Sequence, residues 1–288
     1  MSYRSKRRGI SLLAGCVLSC LAATAMADDT LAISNSLYSI APNPDETRGG
    51  EWDFWRYAVG AGVVSMPTFP GARGTKVEGL PIFSVGYGRW FFGANPDAGS
   101  LVSLGAYLYH DAHWRAGVAV TYDFIEPRQE SDDSHLRGLG DVKRTTHFDA
   151  FGVFTYDWFT ARSSVLTDIG DNQRGTTVTL DTMGKYSPTE QWTLSAGPGV
   201  TWGSDQYNTT YFGVNAEQSV RSGLPPYSLG SGVNEVRFSV GAAYHPTPHW
   251  NIGADITAAW IENHSGDSPI VQKKNQMTYG LLVTYLFF

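Results

Sequence analysis

One group of chemically capable side chains in this 288-residue sequence is in YHDAHW, which holds His110, Asp111 and His113. Two imidazoles three residues apart around a carboxylate could start a metal site or an acid–base pair. No third ligand stands nearby, and the group falls at an expected short turn, so a turn is the preferred reading. Ser195 and His147 could, with an acid, form a hydrolytic triad on a barrel wall. Nothing in the spacing brings them together. The acidic stretch QESDDSHLRGLGD, Gln129 to Asp141, could take up a divalent cation, but it reads more simply as a solvated loop. Its Gly138 and Gly140 follow charged residues rather than a strand, which argues against a nucleotide cradle. The chain therefore reads as non-enzymatic, with no cofactor and no catalytic or metal-binding residues.

Attention turns to the elements that carry these residues. The N-terminus has a basic cluster, Arg4, Lys6, Arg7 and Arg8, then an apolar run from Ile10 to Ala23, then Ala25-Met26-Ala27. That is the pattern of an export signal over 1–27 cleaved after Ala27. A lipoprotein box, Leu13-Ala14-Gly15-Cys16, is the rival reading, with Cys20 a weaker second candidate. Cleavage after Ala27 removes both cysteines and four basic residues, leaving 17 basic against 27 acidic, so a thiolate site and a nucleic-acid partner are both disfavoured. Residues 28–54, with Pro, Asp, Asn and Gly and little periodicity, read as a periplasmic lead-in with the composition of a disordered segment.

From residue 55 onward the dominant period is two. In WRAGVAVTYDF the even positions Trp114, Ala116, Val118, Val120, Tyr122 and Phe124 are apolar or aromatic, and the odd positions include Arg115 and Asp123. WTLSAGPGVTW runs likewise from Trp192 to Trp202, and WNIGADITAAW from Trp250 to Trp260, with Asp255 on its opposite face. Side chains on a strand alternate between faces, so each segment has one apolar face with an aromatic at both ends. Ten residues at about 3.4 Å rise and about 40° tilt cover roughly 26 Å, the height of the apolar band on an outer-membrane barrel. Trp114, Phe124, Trp192, Trp202, Trp250 and Trp260 are therefore expected at the lipid interfaces, and Arg115, Asp123, Asp149, Asp181, Lys185, Arg237 and Asp255 inside. A soluble sandwich has no reason for Trp at that spacing, and it would fill the face with Leu and Phe rather than Ala.

Twelve strands are expected, with ten as the alternative: 55–65, 77–87, 88–95, 100–110, 113–125, 146–157, 158–169, 175–186, 191–203, 233–246, 249–262 and 274–288. Short links alternate with long ones, as in an up-and-down barrel of the outer membrane of a Gram-negative bacterium. The link at Asn95–Gly99 breaks that alternation, being short where a long one is due. The terminal QMTYGLLVTYLFF alternates back from Phe287 and reads as the closing strand, with Phe288 one residue beyond the frame. The long 204–232 segment is expected to plug a narrow lumen.

Four stretches resemble one family. TTYFGVNAEQSVRSGLPPYSLGSG (Thr209 to Gly232), LRGLGDV (Leu136 to Val142), GRWFFG (Gly88 to Gly93) and GDSPIVQKKNQ (Gly266 to Gln276) match, in order and spacing, segments of the MipA/OmpV family of MltA-interacting outer-membrane proteins. Phe69-Pro70-Gly71 stands where the family's first loop has Y-x-G. The resemblance spans about Trp55 to Phe288. It implies a non-enzymatic barrel that brings a murein lytic transglycosylase and a bifunctional murein synthase together. Other members are described as surface antigens or adhesins, so an adhesin or narrow channel is the alternative.

Overall fold

The computed structural model describes residues 55–123 and 125–287, apart from the side chain of Asn263. The expected signal (1–27), the lead-in (28–54), Phe124 and Phe288 lie outside the described residues.

Twelve antiparallel strands close into one barrel. They are β1 (Trp55–Pro67), β2 (Thr75–Tyr87), β3 (Trp90–Asn95), β4 (Ser100–His110), β5 (Trp114–Tyr122), β6 (Thr146–Tyr156), β7 (Phe159–Asp168), β8 (Thr176–Thr189), β9 (Trp192–Gly203), β10 (Gly232–Thr247), β11 (Trp250–Ile261) and β12 (Asn275–Phe287). Each strand pairs with its neighbours in sequence. β12 returns to β1 in a register running from Tyr57 opposite Phe287 to Ser65 opposite Tyr279. Closure gives the terminal apolar run its partner and removes both sheet edges there, which lipid requires because it cannot bond to an open backbone. No helix of the described residues is long and apolar enough to cross a membrane.

One end of the barrel has tight turns and the other has the long connections. The turn end is built by Gly88-Arg89, Asp111–His113, Asp157-Trp158, Glu190-Gln191 and Pro248-His249. Gly88 and Asp157 take positive φ there, 54° and 52°, as two-residue hairpins demand. β8 runs further than its sequence suggests, through Ser187–Thr189, and β10 ends one residue later than expected, at Thr247. Register shifts after Tyr186 and Tyr244 let them carry a proline each at the strand end.

At the loop end four connections fold over the mouth as a cap. The 204–231 connection forms helices α1 (Asp205–Phe212) and α2 (Ala216–Ser222), and 262–274 contains the short helix α3 (Asn263–Gly266). Ser204 caps α1. Asn215 and Gln218 form a reciprocal capping box on α2, which ends at Gly223 with φ 76°. Two apolar clusters hold the cap. Phe69, Ala72, Leu136, Leu139, Val214 and Ile270 join all four loops, and Val142, Tyr207, Tyr211, Phe212, Leu229 and Ile261 seat α1 on the barrel rim. The 204–232 segment is thus one quarter of a cap rather than a plug threaded down the lumen.

Candidate functional site

Strand alternation decides which side chains enter the barrel, and those that do are packed together. Arg115, Asp123, Asp149, Asp181, Arg237 and Asp255 are all buried inside. Lys185 is half-buried near the turn end of β8. Trp114, Trp192, Trp202, Trp250 and Trp260 stand exposed on the outer surface. At the turn end the outer aromatics gather into contacts: Trp114 with Phe154 at 4.9 Å, Trp192 with Tyr244 at 4.8 Å and Trp250 with Tyr285 at 5.0 Å between ring centroids.

The segment that fills the lumen is the short link after β3. β3 is only six residues long, and Gly93 at φ 102° turns the chain away from β2, while Asn95 still pairs with Ser100 of β4. Residues 96–99 then fold inward, and Asp97 is fully buried. Its carboxylate takes two bonds from the Arg115 guanidinium, Nε to Oδ2 at 2.8 Å and Nη2 to Oδ1 at 3.0 Å, and one from the Tyr107 hydroxyl at 2.9 Å. Arg162 Nε donates to the Asp97 carbonyl at 2.7 Å, and Arg162 Nη1 reaches Asp181 Oδ2 at 3.4 Å. Arg237 closes on the other Asp181 oxygen and touches Glu235 at 3.3 Å. The result is a continuous chain of charge from β5 to β10 across the interior. Beneath it Phe91, Ala98, Tyr107, Ala119 and Phe151 form an apolar floor.

A second network ties the wall to the cap. Asp123 accepts from His147 Nε2 at 2.9 Å, from Arg174 Nη1 at 2.9 Å and from the Thr145 amide at 2.9 Å. Arg174 lies over the Tyr211 ring of α1 at 5.0 Å. Asp149 accepts from the Ser164 hydroxyl at 2.6 Å. Such pairing is what makes buried charge tolerable, because an unpartnered one is strongly destabilising.

Asp97, Arg162, Arg174, Glu235 and His147 belong to these networks without having been singled out as interior charges. For Asp97 the available signal was the anomalously short link. For Arg162 it was strand parity, since Thr160, Arg162 and Ser164 share the buried face of β7.

The groups suggestive of catalysis have structural positions. Asp111 accepts from the Tyr109 hydroxyl at 2.6 Å and from the amides of His113 and Trp114 at 2.8 and 2.7 Å, so it caps its turn. Those bonds, the Tyr109 hydroxyl first, hold its carboxyl down to about 2. Ser195 lies opposite Lys185 towards the turn end, whereas His147 lies opposite Asp168 at the loop end, three strands away. In the 129–141 loop the carboxylates bond to their own backbone: Asp132 to the Gln129 amide, Asp133 to His135 and Asp141 to Glu130. Among the described residues no cluster of His, Cys, Asp or Glu could hold a metal ion.

A closed twelve-stranded antiparallel barrel, apolar outside and polar within, defines a transmembrane β-barrel of the outer-membrane class. The family model described as MltA-interacting protein MipA matches residues 59–287, so the chain belongs to that family. The MltA-interacting proteins of Escherichia coli (strain K12) and Shigella flexneri are each 24% identical over 241 residues, 81% of this chain and 90% of theirs. Among solved structures it is similar to an outer membrane channel from Pseudomonas putida F1, with TM-score 0.43, 9% identity and coverage of 84% of this chain and 98% of that one. It is also similar to a bacterial polysaccharide outer membrane secretin, with TM-score 0.43, 9% identity and coverage of 82% and 99%.

Proposed function

We propose that this chain is a non-enzymatic docking barrel of the Gram-negative outer membrane, and that its periplasmic face receives murein-processing enzymes: a lytic transglycosylase and, with it, a bifunctional murein synthase. The observation that carries the reading is the filled interior. With charge pairs crossing the lumen from Arg115 to Arg237, the working parts of the molecule are its surfaces. Membership of a family whose relatives are named for interaction with MltA supports a partner on one of them. The reading includes removal of 1–27, a lead-in at 28–54 on the periplasmic side, and Trp114, Trp192, Trp202, Trp250 and Trp260 as anchors at the lipid interfaces, with Phe124 assigned to the same ring.

The tight turns offer little area against the roughly 1,200 Å² that a stable interface buries. The lead-in must then supply much of the contact. The test is a pull-down of the detergent-solubilised chain against periplasmic and inner-membrane extracts, with and without 28–54. Recovery of a transglycosylase or murein synthase from the full-length mature chain, and its loss without the lead-in, is the expected result. Enrichment of neither enzyme rejects the platform.

One observation favours a second reading, a surface antigen or adhesin. The cap is a built structure with two apolar clusters and its own capped helices, more order than a mere loop closure needs. Antibodies against 126–145 that block attachment to a surface would favour it. Large ohmic conductance in a planar bilayer would favour a narrow channel over both.

A further inference from the structure

The barrel wall has a seam. β2 is thirteen residues long and β3 six, and the two pair only from Ser84 opposite Gly93 to Tyr87 opposite Trp90. Beyond Gly93 the chain parts from β2; Asn95 still pairs with Ser100 of β4, and residues 96–99 then fold inward. Among the described residues no strand lies along the β3-facing edge of β2 from Thr75 to Phe83. The parity of that edge is fixed by the bond from the Thr68 amide to the Gly74 carbonyl, which makes the even residues of β2 bond to β1. The odd residues therefore aim their backbone groups into the gap, and one of them is Pro81, which has no N–H to leave unpaired. Proline within a sheet belongs on such an edge. Its position suits an edge without a partner strand, since it removes one donor that would otherwise go unpaired.

Behind the seam the interior changes character. Val64, Met66, Leu80, Ile82, Ala94, Leu101, Ile125 and Leu282 form one buried apolar cluster. Apart from the floor of Phe91, Ala98, Tyr107, Ala119 and Phe151, the buried side chains elsewhere in the lumen are mainly charged or hydroxyl-bearing. Leu80 and Ile82 come from β2 itself, and Leu101, Ala94 and Ile125 face them from the far side of the gap. Among the described residues the wall between membrane and interior is here made of side chains, with no sheet across it. Side chains can change rotamer at far lower energy than a hydrogen-bonded ladder can part. The cap lies at the loop end of this cluster, and the seam is where the cluster comes nearest the membrane.

We propose that the seam between β2 and β4 is a lateral portal through which an acyl chain of the surrounding membrane enters the compartment walled by Leu80, Ile82 and Leu101. The seam is continuous with the lipid-facing surface, whose outward residues along β2 include exposed Val77 and Phe83. At its loop end stands Arg73, exposed, where an anionic headgroup would lie. The shared chemistry is a long alkyl chain ending in an anion, supplied by a free fatty acid or by a phospholipid.

Photo-cross-linking tests this on the mature chain in liposomes. A diazirine is placed near the chain terminus, in one arm on a fatty acid and in the other on a phospholipid, and adducts are mapped by mass spectrometry. The expected result is adducts on inward Leu80, Ile82 or Leu101 in at least one arm. These should exceed adducts on inward Ser239 and Thr257 by at least about tenfold, the preference that burial of roughly two methylene groups supplies. The productive arm identifies the source. In Ala94→Trp, with the seam filled, the inward adducts are lost while those on outward Phe83 and the heat-dependent gel shift persist. Adducts confined to outward residues in the wild-type chain, or spread equally over Ser239 and Thr257, overturn the proposal without recourse to the variant.

Discussion

The two halves of the lumen are built on opposite principles. From β5 round to β10 the interior is held by directional pairs, Arg115 with Asp97 and Arg162 and Arg237 with Asp181. From β12 through β1 to β2 it is held by packing among Leu282, Val64, Met66, Leu80 and Ile82. The backbone is the same twisted, closed sheet in both halves. A paired charge fixes geometry, since a buried guanidinium displaced from its carboxylate loses far more than a displaced methyl group. The charged half is expected to be rigid and the apolar half compliant. The wall is interrupted on the apolar side.

The largest expected effect breaks the charged half. Asp181→Ala leaves Arg162 and Arg237 buried without their shared carboxylate, which costs about 3–5 kcal/mol. Urea unfolding of the barrel in detergent, followed by tryptophan fluorescence, measures it. On the apolar side Met66→Ala removes a fully buried side chain and leaves a cavity. The surrounding side chains can relax into it, so the loss should fall towards the lower end of the roughly 2–5 kcal/mol range for such truncations. If Met66→Ala proves the more damaging of the two, the contrast between rigid and compliant halves fails.

The boundary between the halves is Gly93. Its φ of 102° is one that side chains rarely adopt, and a Cβ there would stand 2.3 Å from the Phe83 carbonyl. Gly93→Ala is expected to cost about 1–3 kcal/mol through backbone strain. It should also disturb the inward link, seen as faster amide exchange at Ala98 and Gly99 than at β9 or β10. Unchanged exchange would show that Asp97 and its partners, rather than Gly93, direct the chain inward.

The wall was legible from the sequence to a degree the interior was not. Alternation with an aromatic at each end of a face is a local signal, and all twelve strands lie within a few residues of where it puts them. The end of β8 was missed because a Pro-containing stretch reads as a turn unless the bulge beside it is known. The inward link could not be read. Gly93 declares no handedness by its identity, and Asp97 goes inside because Arg115 and Arg162, 18 and 65 residues away in sequence, wait there. Ion pairs of that kind leave no periodic trace. Strand parity put Arg115, Asp123, Asp149, Asp181, Arg237 and Asp255 on the inner face, but it could not say which partners they meet.

The smallest expected effect lies outside both halves, at the turn end, and sets an exposed carboxylate against the buried ones. Asp111 is a cap whose carboxyl is held to about 2, first by the Tyr109 hydroxyl and then by the amides of His113 and Trp114. Its pKa is lower folded than unfolded, where a carboxyl of this type titrates near 3.9. Its contribution is therefore fully present above about pH 4 and disappears as the pH falls through about 2. Neutral pH leaves it intact. The expected observation is that amide exchange at His113 and Trp114, corrected for intrinsic pH dependence, stays protected down to about pH 4 and loses protection below it. In Asp111→Asn, which keeps an acceptor oxygen but has no proton to gain, the same amides should show weaker protection that no longer changes across that window. A wild-type turn whose protection is flat between pH 4 and pH 2 would mean that the Tyr109 and backbone bonds persist to the protonated acid, and that the carboxylate charge does not hold this turn.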